Sequence, residues 1–315
     1  MAEDFPRDLL GKLVAAHIDI KPARLRFARV DTGHFNTSYF VDGAGRPVVL
    51  RISPPDDGGF LFYERRMMAQ EPGIHACVRS RTSAPVAEVL AYDSSRSLVD
   101  RDYLLMERLP GTPLTHFHCT ASELDKVLQQ TGTYLREIHE ITASRYGYLG
   151  EHNCMQPQED WASAFRVMWD KLIDDIAGTG YYDKAEAARA RNLLSRHLKP
   201  FERPVTSRLL HMDIWSQNIL VDAEANVSGI VDFDRALWGD KEIEFAVLDY
   251  CGITQPGFWR GYGVERDLSR PAQIRRLFYL LYEVQKYIVI YHYRNKYPAA
   301  CQRYKSQVLS MMSQL

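Results

Sequence analysis

Apolar residues recur along this chain in two rhythms. Up to about residue 108 they come in short runs at every second position, and beyond it they come at every third or fourth position in longer runs. Arg26–Val30, Thr37–Val41 and Pro47–Ile52 read as strands, the last two joined through a turn at Asp42-Gly43-Ala44-Gly45. Pro54–Gly59 reads as a loop. Phe60–Gln70 has helical spacing and is predicted to end near Glu71-Pro72-Gly73, where proline and glycine would stop a helix. Val86–Tyr92 and Tyr103–Glu107 read as further strands, and Leu109-Pro110-Gly111-Thr112-Pro113 then breaks the pattern. Thr120-Ala121-Ser122-Glu123 is a capping box. Leu124, Val127, Leu128, Leu135 and Ile138 mark the buried face of the helix it opens. Trp161–Ile176 and Lys184–Leu198 follow as helices, Arg208–Asp234 as a strand–loop–strand unit, and Glu242–Leu315 as mainly helical. The expectation is an α+β fold of two lobes, β-rich over 1–108 and helical over 109–315, with a hinge near 107–112.

Composition narrows the function classes. A length of 315 residues suits two lobes better than one core. The net charge of −1 supplies no field for nucleic acid or an anionic membrane, so neither is expected as a partner. The five cysteines are scattered without a CxxC pair, which argues against a disulfide framework and against zinc. The start, Met1-Ala2-Glu3-Asp4, has no apolar signal core, and the apolar stretch Leu277–Tyr293 is broken by Glu283, Gln285 and Lys286. A soluble cytoplasmic protein is the expectation, and the pattern is silent on oligomeric state.

Chemistry concentrates in Leu209-Leu210-His211-Met212-Asp213-Ile214-Trp215-Ser216-Gln217-Asn218-Ile219-Leu220-Val221, where polar residues sit between two apolar segments. Gly229-Ile230-Val231-Asp232-Phe233-Asp234 follows as a second apolar segment ending in a carboxylate. A loop, a hairpin and a strand end would bring Asp213, Asn218 and Asp232 together. Phosphoryl transfer requires such a set: one carboxylate to accept the hydroxyl proton, and an amide with a carboxylate to hold magnesium. A buried hairpin with incidental polar residues is the plain alternative. A metal hydrolase using His211 and Asp213 is another, but only His116 and His118 form a His-x-His pair.

The pattern H-x-D-x-x-x-x-N followed by two apolar residues and Asp-Phe resembles the aminoglycoside phosphotransferase superfamily of small-molecule kinases. The resemblance implies a protein-kinase-like fold with a nucleotide-binding N-terminal lobe. It also implies Asp213 as catalytic base, His211 as shaper of the loop, Asn218 and Asp232 as Mg²⁺ ligands, and ATP as donor with GTP left open. It further implies that Arg51, ending the strand Val48–Ile52, pairs with Glu64 on the Phe60–Gln70 helix to hold the nucleotide. The turn around Gly33, Asn36, Thr37 and Ser38 looks like the family's phosphate loop, though it departs from GxGxxG. Glu107 lies in a segment resembling the hinge that binds adenine through its backbone. Gly239-Asp240 with Glu244 resembles a structural clamp.

The run from Asp232 to the helix near Glu242 is short, so little chain is left for a peptide-docking platform. The expected acceptor is therefore a small hydroxyl compound, either an antibiotic such as an aminoglycoside or a metabolite. A catalytically inactive nucleotide-binding relative is the alternative. Residues 140–175 hold seven acids and three bases and would suit a polycation; residues 251–315 hold ten Lys/Arg, three acids and many aromatics that would suit an apolar or sugar-containing ligand.

Overall fold

A computed structural model describes residues 4–31, 35–56 and 58–315. It opens with a helix that the alternation reading above did not include, α1 (Arg7–Ala15), whose Leu10, Leu13 and Val14 are buried at helical spacing. Five strands follow: β1 (Arg26–Val30), β2 (Thr37–Asp42), β3 (Val48–Ile52), β4 (Val89–Asp93) and β5 (Tyr103–Glu107). They form one antiparallel sheet in the order β1-β2-β3-β5-β4. Val48, Leu50 and Ile52 alternate into a core shared with α1, Tyr39, Val41 and Leu105. The register sets Arg51 opposite Ser38 on one side and Leu104 on the other, so its side chain leaves the sheet on the face away from α1.

The segment between β3 and β4 departs from expectation. Residues 67–70 form a single 3₁₀ turn, and the helix proper is α2 (Glu71–Arg81). Pro72 lies in its first turn, where the missing N–H costs nothing, so the residue read as a stop is a start.

The rest of the chain is mostly helical. It contains β6 (Thr112–Pro113), α3 (Ala121–His139), β7 (Thr142–Ala143), α4 (Trp161–Gly178), α5 (Lys184–Arg196), β8 (Ser207–Leu210), β9 (Ile219–Val221), β10 (Val227–Ile230), β11 (Leu237–Gly239), α6 (Lys241–Tyr250), α7 (Pro256–Tyr262), α8 (Arg270–Tyr293) and α9 (Pro298–Met312). The capping box at α3 forms as expected, with Glu123 receiving the Thr120 amide at 2.7 Å. Two small antiparallel sheets, β10-β9-β6 and β11-β8-β7, frame the polar segments that follow β8 and β10. The aromatic residues of α4 and α8 bury one another: Trp161, Phe165, Trp169, Phe278, Tyr279 and Tyr282 all lie in the largest core. This is the α+β, two-lobed arrangement expected. No helix among the described residues is long and apolar enough to cross a membrane.

Candidate active site

The loop from β8 to β9 is held from beneath. Met212 adopts a left-handed backbone (φ 67°), an uncommon conformation for a residue with a side chain. Buried Glu244 of α6 accepts the amides of His211 (3.1 Å) and Met212 (2.7 Å), and His139 of α3 holds the same carboxylate at 2.7 Å. Asp240 caps α6 and takes Arg203 at 2.7 Å and the Tyr279 hydroxyl at 2.9 Å. Glu244 ties the loop to α3 and α6, and Asp240 ties the start of α6 to Arg203 and to α8.

His211 is fully buried with both ring nitrogens engaged. Nε2 lies 3.0 Å from the Val231 carbonyl, and Nδ1 accepts the Asp213 amide at 3.2 Å. That pairing defines a neutral tautomer with the proton on Nε2. Burial is the main reason its pKa is lowered, against the pull of Glu244 and Asp213. His211 thus stitches the loop to the strand end that carries Asp232.

Asp213 keeps 28% of its side chain exposed. One carboxylate oxygen accepts Arg235 Nη1 at 3.0 Å and the other accepts Asn218 Nδ2, also at 3.0 Å. Desolvation raises its pKa, but Arg235 and Lys286 outweigh it, and the net shift is downward. The result is a carboxylate that stays ionised and is fixed in orientation. Asn218 spends its amide nitrogen on Asp213, which leaves the carbonyl oxygen as an acceptor. Asp232, left-handed at φ 73° and 37% exposed, gives one oxygen to Arg51 and keeps the other. Two hard oxygen donors near a proton-accepting carboxylate fit Mg²⁺, which takes one or two protein ligands and fills its octahedron with water and phosphate oxygens. Among the described residues no group of three His, Cys, Asp or Glu could hold a metal ion, so the hydrolase alternative gains nothing.

Arg51 does not meet Glu64. Its Nη1 pairs with Glu71 at 2.5 Å, and its Nη2 reaches Asp232 at 2.6 Å and Asp234 at 3.4 Å. Because the helix starts at Glu71 and not at Phe60, the carboxylate facing the sheet is the first residue of α2. Glu64 lies before it in a turn, accepts the Leu61 amide at 2.8 Å and pairs with Arg294 just past α8. Burial is the chief cause that pushes Glu71 up to about 7, against the charge of Arg51. Burial beside Asp232 and Glu71 pushes Asp234 well up too.

The remaining expected residues divide. Gly33 lies outside the described residues. Asn36 is buried, donates to Asp234 at 3.4 Å and leaves its carbonyl oxygen without a partner. Thr37 and Ser38 belong to β2, opposite Ile52 and Arg51, and not to a loop. Glu107 ends β5, and its amide already donates to Glu88 at 2.8 Å, so of its two backbone groups it has only the carbonyl to offer a purine edge.

With this geometry in view, the comparisons carry weight. A family model described as the phosphotransferase enzyme family (APH) matches residues 26–277. A probable ketoamine kinase of Vibrio parahaemolyticus is 33% identical over 264 residues, covering 81% of this chain and 83% of that protein. A second probable ketoamine kinase, from Vibrio vulnificus, is 26% identical and covers 66% and 69% respectively. The chain belongs to the APH phosphotransferase family. Among solved structures, a thermostable mutant of aminoglycoside phosphotransferase APH(4)-Ia in ternary complex with ADP and hygromycin B superposes with TM-score 0.68 at 17% identity, over 96% of this chain and 98% of that one. That likeness establishes the protein-kinase-like fold.

The phosphotransferase holds Asp213 with residues the motif does not include. Arg235 bridges Asp213 to buried Glu283 of α8 at 3.2 Å, and Lys286 pairs with the same Glu283. Nothing in the local pattern signals this, apart from two charges interrupting the apolar α8 stretch. Burying Glu283 and Lys286 is costly unless they are paired, so those interruptions were the available clue.

Proposed function

We propose that this phosphotransferase moves the γ-phosphoryl group of Mg·ATP onto a hydroxyl of a small ketosamine, a sugar joined through its ketone-bearing skeleton to an amine. The observation that carries the reading is Asp213, held ionised between Arg235 and Asn218, beside the oxygens of Asn218 and Asp232. Asp213 takes the proton of the acceptor hydroxyl as its oxygen bonds to phosphorus and the bond to the bridging oxygen of ADP breaks. Arg51, braced by Glu71, offers its guanidinium to the nucleotide phosphates. Bound Mg²⁺, on Asn218 and Asp232, would neutralise phosphate charge.

Two points favour a ketosamine over a polycationic antibiotic. The relatives in the two vibrios are named for ketoamines. And six of the seven acids of residues 140–175 are engaged in structure: Asp160 caps α4, Asp170 and Asp174 pair with Arg191, Asp175 holds the Phe62 amide, and Glu140 and Glu159 pair with Arg208 and Arg145. They do not converge into an acidic pocket.

A phosphate-transfer assay with Mg·ATP tests the proposal, using fructosyl-glycine, fructosyl-phenylalanine, hygromycin B and kanamycin as acceptors. Turnover of the fructosyl amines that is lost in Asp213→Asn is the expected result. Turnover confined to the antibiotics rejects the ketosamine assignment, and no transfer to any acceptor despite nucleotide binding favours an inactive relative.

A further inference from the structure

Tyr250, the last residue of α6, is a large aromatic side chain left 37% exposed. Its position is what matters. The first turn of the same helix carries Glu244, which holds the catalytic loop. The next residue, Cys251, lies within the electrostatic reach of Glu283, Lys286, Asp213 and Arg235. An unbroken run of contacts leads from the base to the tyrosine. Asp213 meets Arg235, Arg235 meets Glu283, and Glu283 pairs with Lys286. The Lys286 ammonium then lies 5.1 Å from the centre of the Tyr287 ring, and that ring is 5.7 Å from Tyr250.

The far side of this run is packed. Tyr304 of α9 stacks on Tyr287 at 5.0 Å and on Tyr291 at 5.4 Å, with planes 23° and 25° apart. Three helices thus back one aromatic surface whose wet end is Tyr250. The carboxylates beside it are already paired, Glu283 with Arg235 and Lys286 and Asp249 with Arg266 and Arg276. Such a surface offers a flat apolar face and no free negative charge, which suits another flat ring and not a polycation.

We infer that Tyr250 is a specificity-determining residue for the acceptor. It stacks an aromatic ring carried on the amine side of the substrate while the sugar hydroxyl meets Asp213. This rests on the ketosamine reading for the reacting end only. The preferred acceptors are ketosamines of aromatic amines, and Tyr250 acts on their binding and not on the chemical step.

The test compares wild type, Tyr250→Phe and Tyr250→Ala on fructosyl-phenylalanine and fructosyl-glycine. Loss of one stacking partner raises KM for the phenylalanine conjugate about five- to tenfold in Tyr250→Ala, with kcat within about twofold. The glycine conjugate is unaffected, and Tyr250→Phe behaves as wild type on both. Equal effects on the two acceptors, or no effect on either, overturn the inference. Saturation-transfer NMR with the same compounds needs no turnover. Transfer to the phenyl protons in wild type that vanishes in Tyr250→Ala supports the stacking even where no phosphate moves, which isolates a failure of the ketosamine reading. Absence of that transfer in wild type overturns the role of Tyr250 by itself.

Discussion

As the proposed base, Asp213 would accept a proton only while ionised, so whatever lowers its pKa would protect the reaction at acid pH. Burial works against it, and the charges of Arg235 and Lys286 work for it. In Arg235→Gln the burial is less opposed and the pKa of Asp213 rises. The acid limb of kcat/KM then moves to higher pH, while in wild type it lies below the ordinary carboxylate range. A pH–rate profile of the two proteins checks this; coincident limbs would mean that Arg235 does not tune the base. Asp213→Asn removes the proton acceptor altogether and lowers kcat by about 10²–10⁴-fold, read in single-turnover assays. The polar loop between β8 and β9, and the meeting of Asp213 with Asn218, were legible in the sequence because polar residues between two apolar strands stand out. Arg235 was not, because its partner Glu283 lies 48 residues away on a helix whose charges were read only as breaks in an apolar stretch. A partner at that distance is set by packing, and no local period encodes it.

Elements meet where side chains permit. Helices α3 and α7 cross at a glycine on each: a Cβ on Gly261 would strike the Gln129 carbonyl, and one on Gly132 would strike the Phe258 carbonyl. Both obstacles are backbone, which cannot swing aside. Gly261→Ala must therefore part the helices and costs about 1–3 kcal/mol, measurable as a lower midpoint in urea at unchanged slope. The same helices carry His139 and Tyr262, which support Glu244 (His139 Nδ1 lies 2.8 Å from the Tyr262 hydroxyl). A fall in kcat is expected to accompany the loss of stability. At this scale the sequence was legible wherever a period ran long. Thr120 and Glu123 marked the start of α3 because a capping box is a local bond pattern. Pro72 was ambiguous, since the residue that ends a helix also suits its first turn. Only the packing of Glu71 against Arg51 decides between the two readings, and that error displaced the expected ion pair from Glu71 to Glu64.

Across the whole molecule, the stretch before α2 straps the sheet onto the helices. The Phe62 amide donates to Asp175 of α4 at 2.8 Å, and Tyr63 stacks on Tyr148 at 5.2 Å while its ring lies 5.5 Å from the Arg235 guanidinium. Arg294, just beyond α8, pairs with Glu64 and covers the Phe35 ring at 4.8 Å. Burial is the largest cause that pushes Asp175 up to about 6 from an ordinary 3.8. Between those two values the folded protein holds a proton that the unfolded chain has released, so stability contributed here is present below pH 3.8 and is lost as pH rises through about 6. Asp175→Asn keeps an oxygen for the Phe62 amide and never ionises. Its melting temperature is expected to exceed that of wild type at pH 8 and to match it near pH 4. Arg294→Met acts on the other anchor. Glu64 is only 5% exposed, so removing its partner strands a buried carboxylate and costs roughly 3 kcal/mol. Replacing both, as Glu64→Leu with Arg294→Met, removes the charge together with its partner and recovers most of that loss. A double-mutant cycle in urea reads the difference. If the double variant were as unstable as the sum of the two single variants, the strap would be held by its aromatic contacts and the ion pair would be incidental.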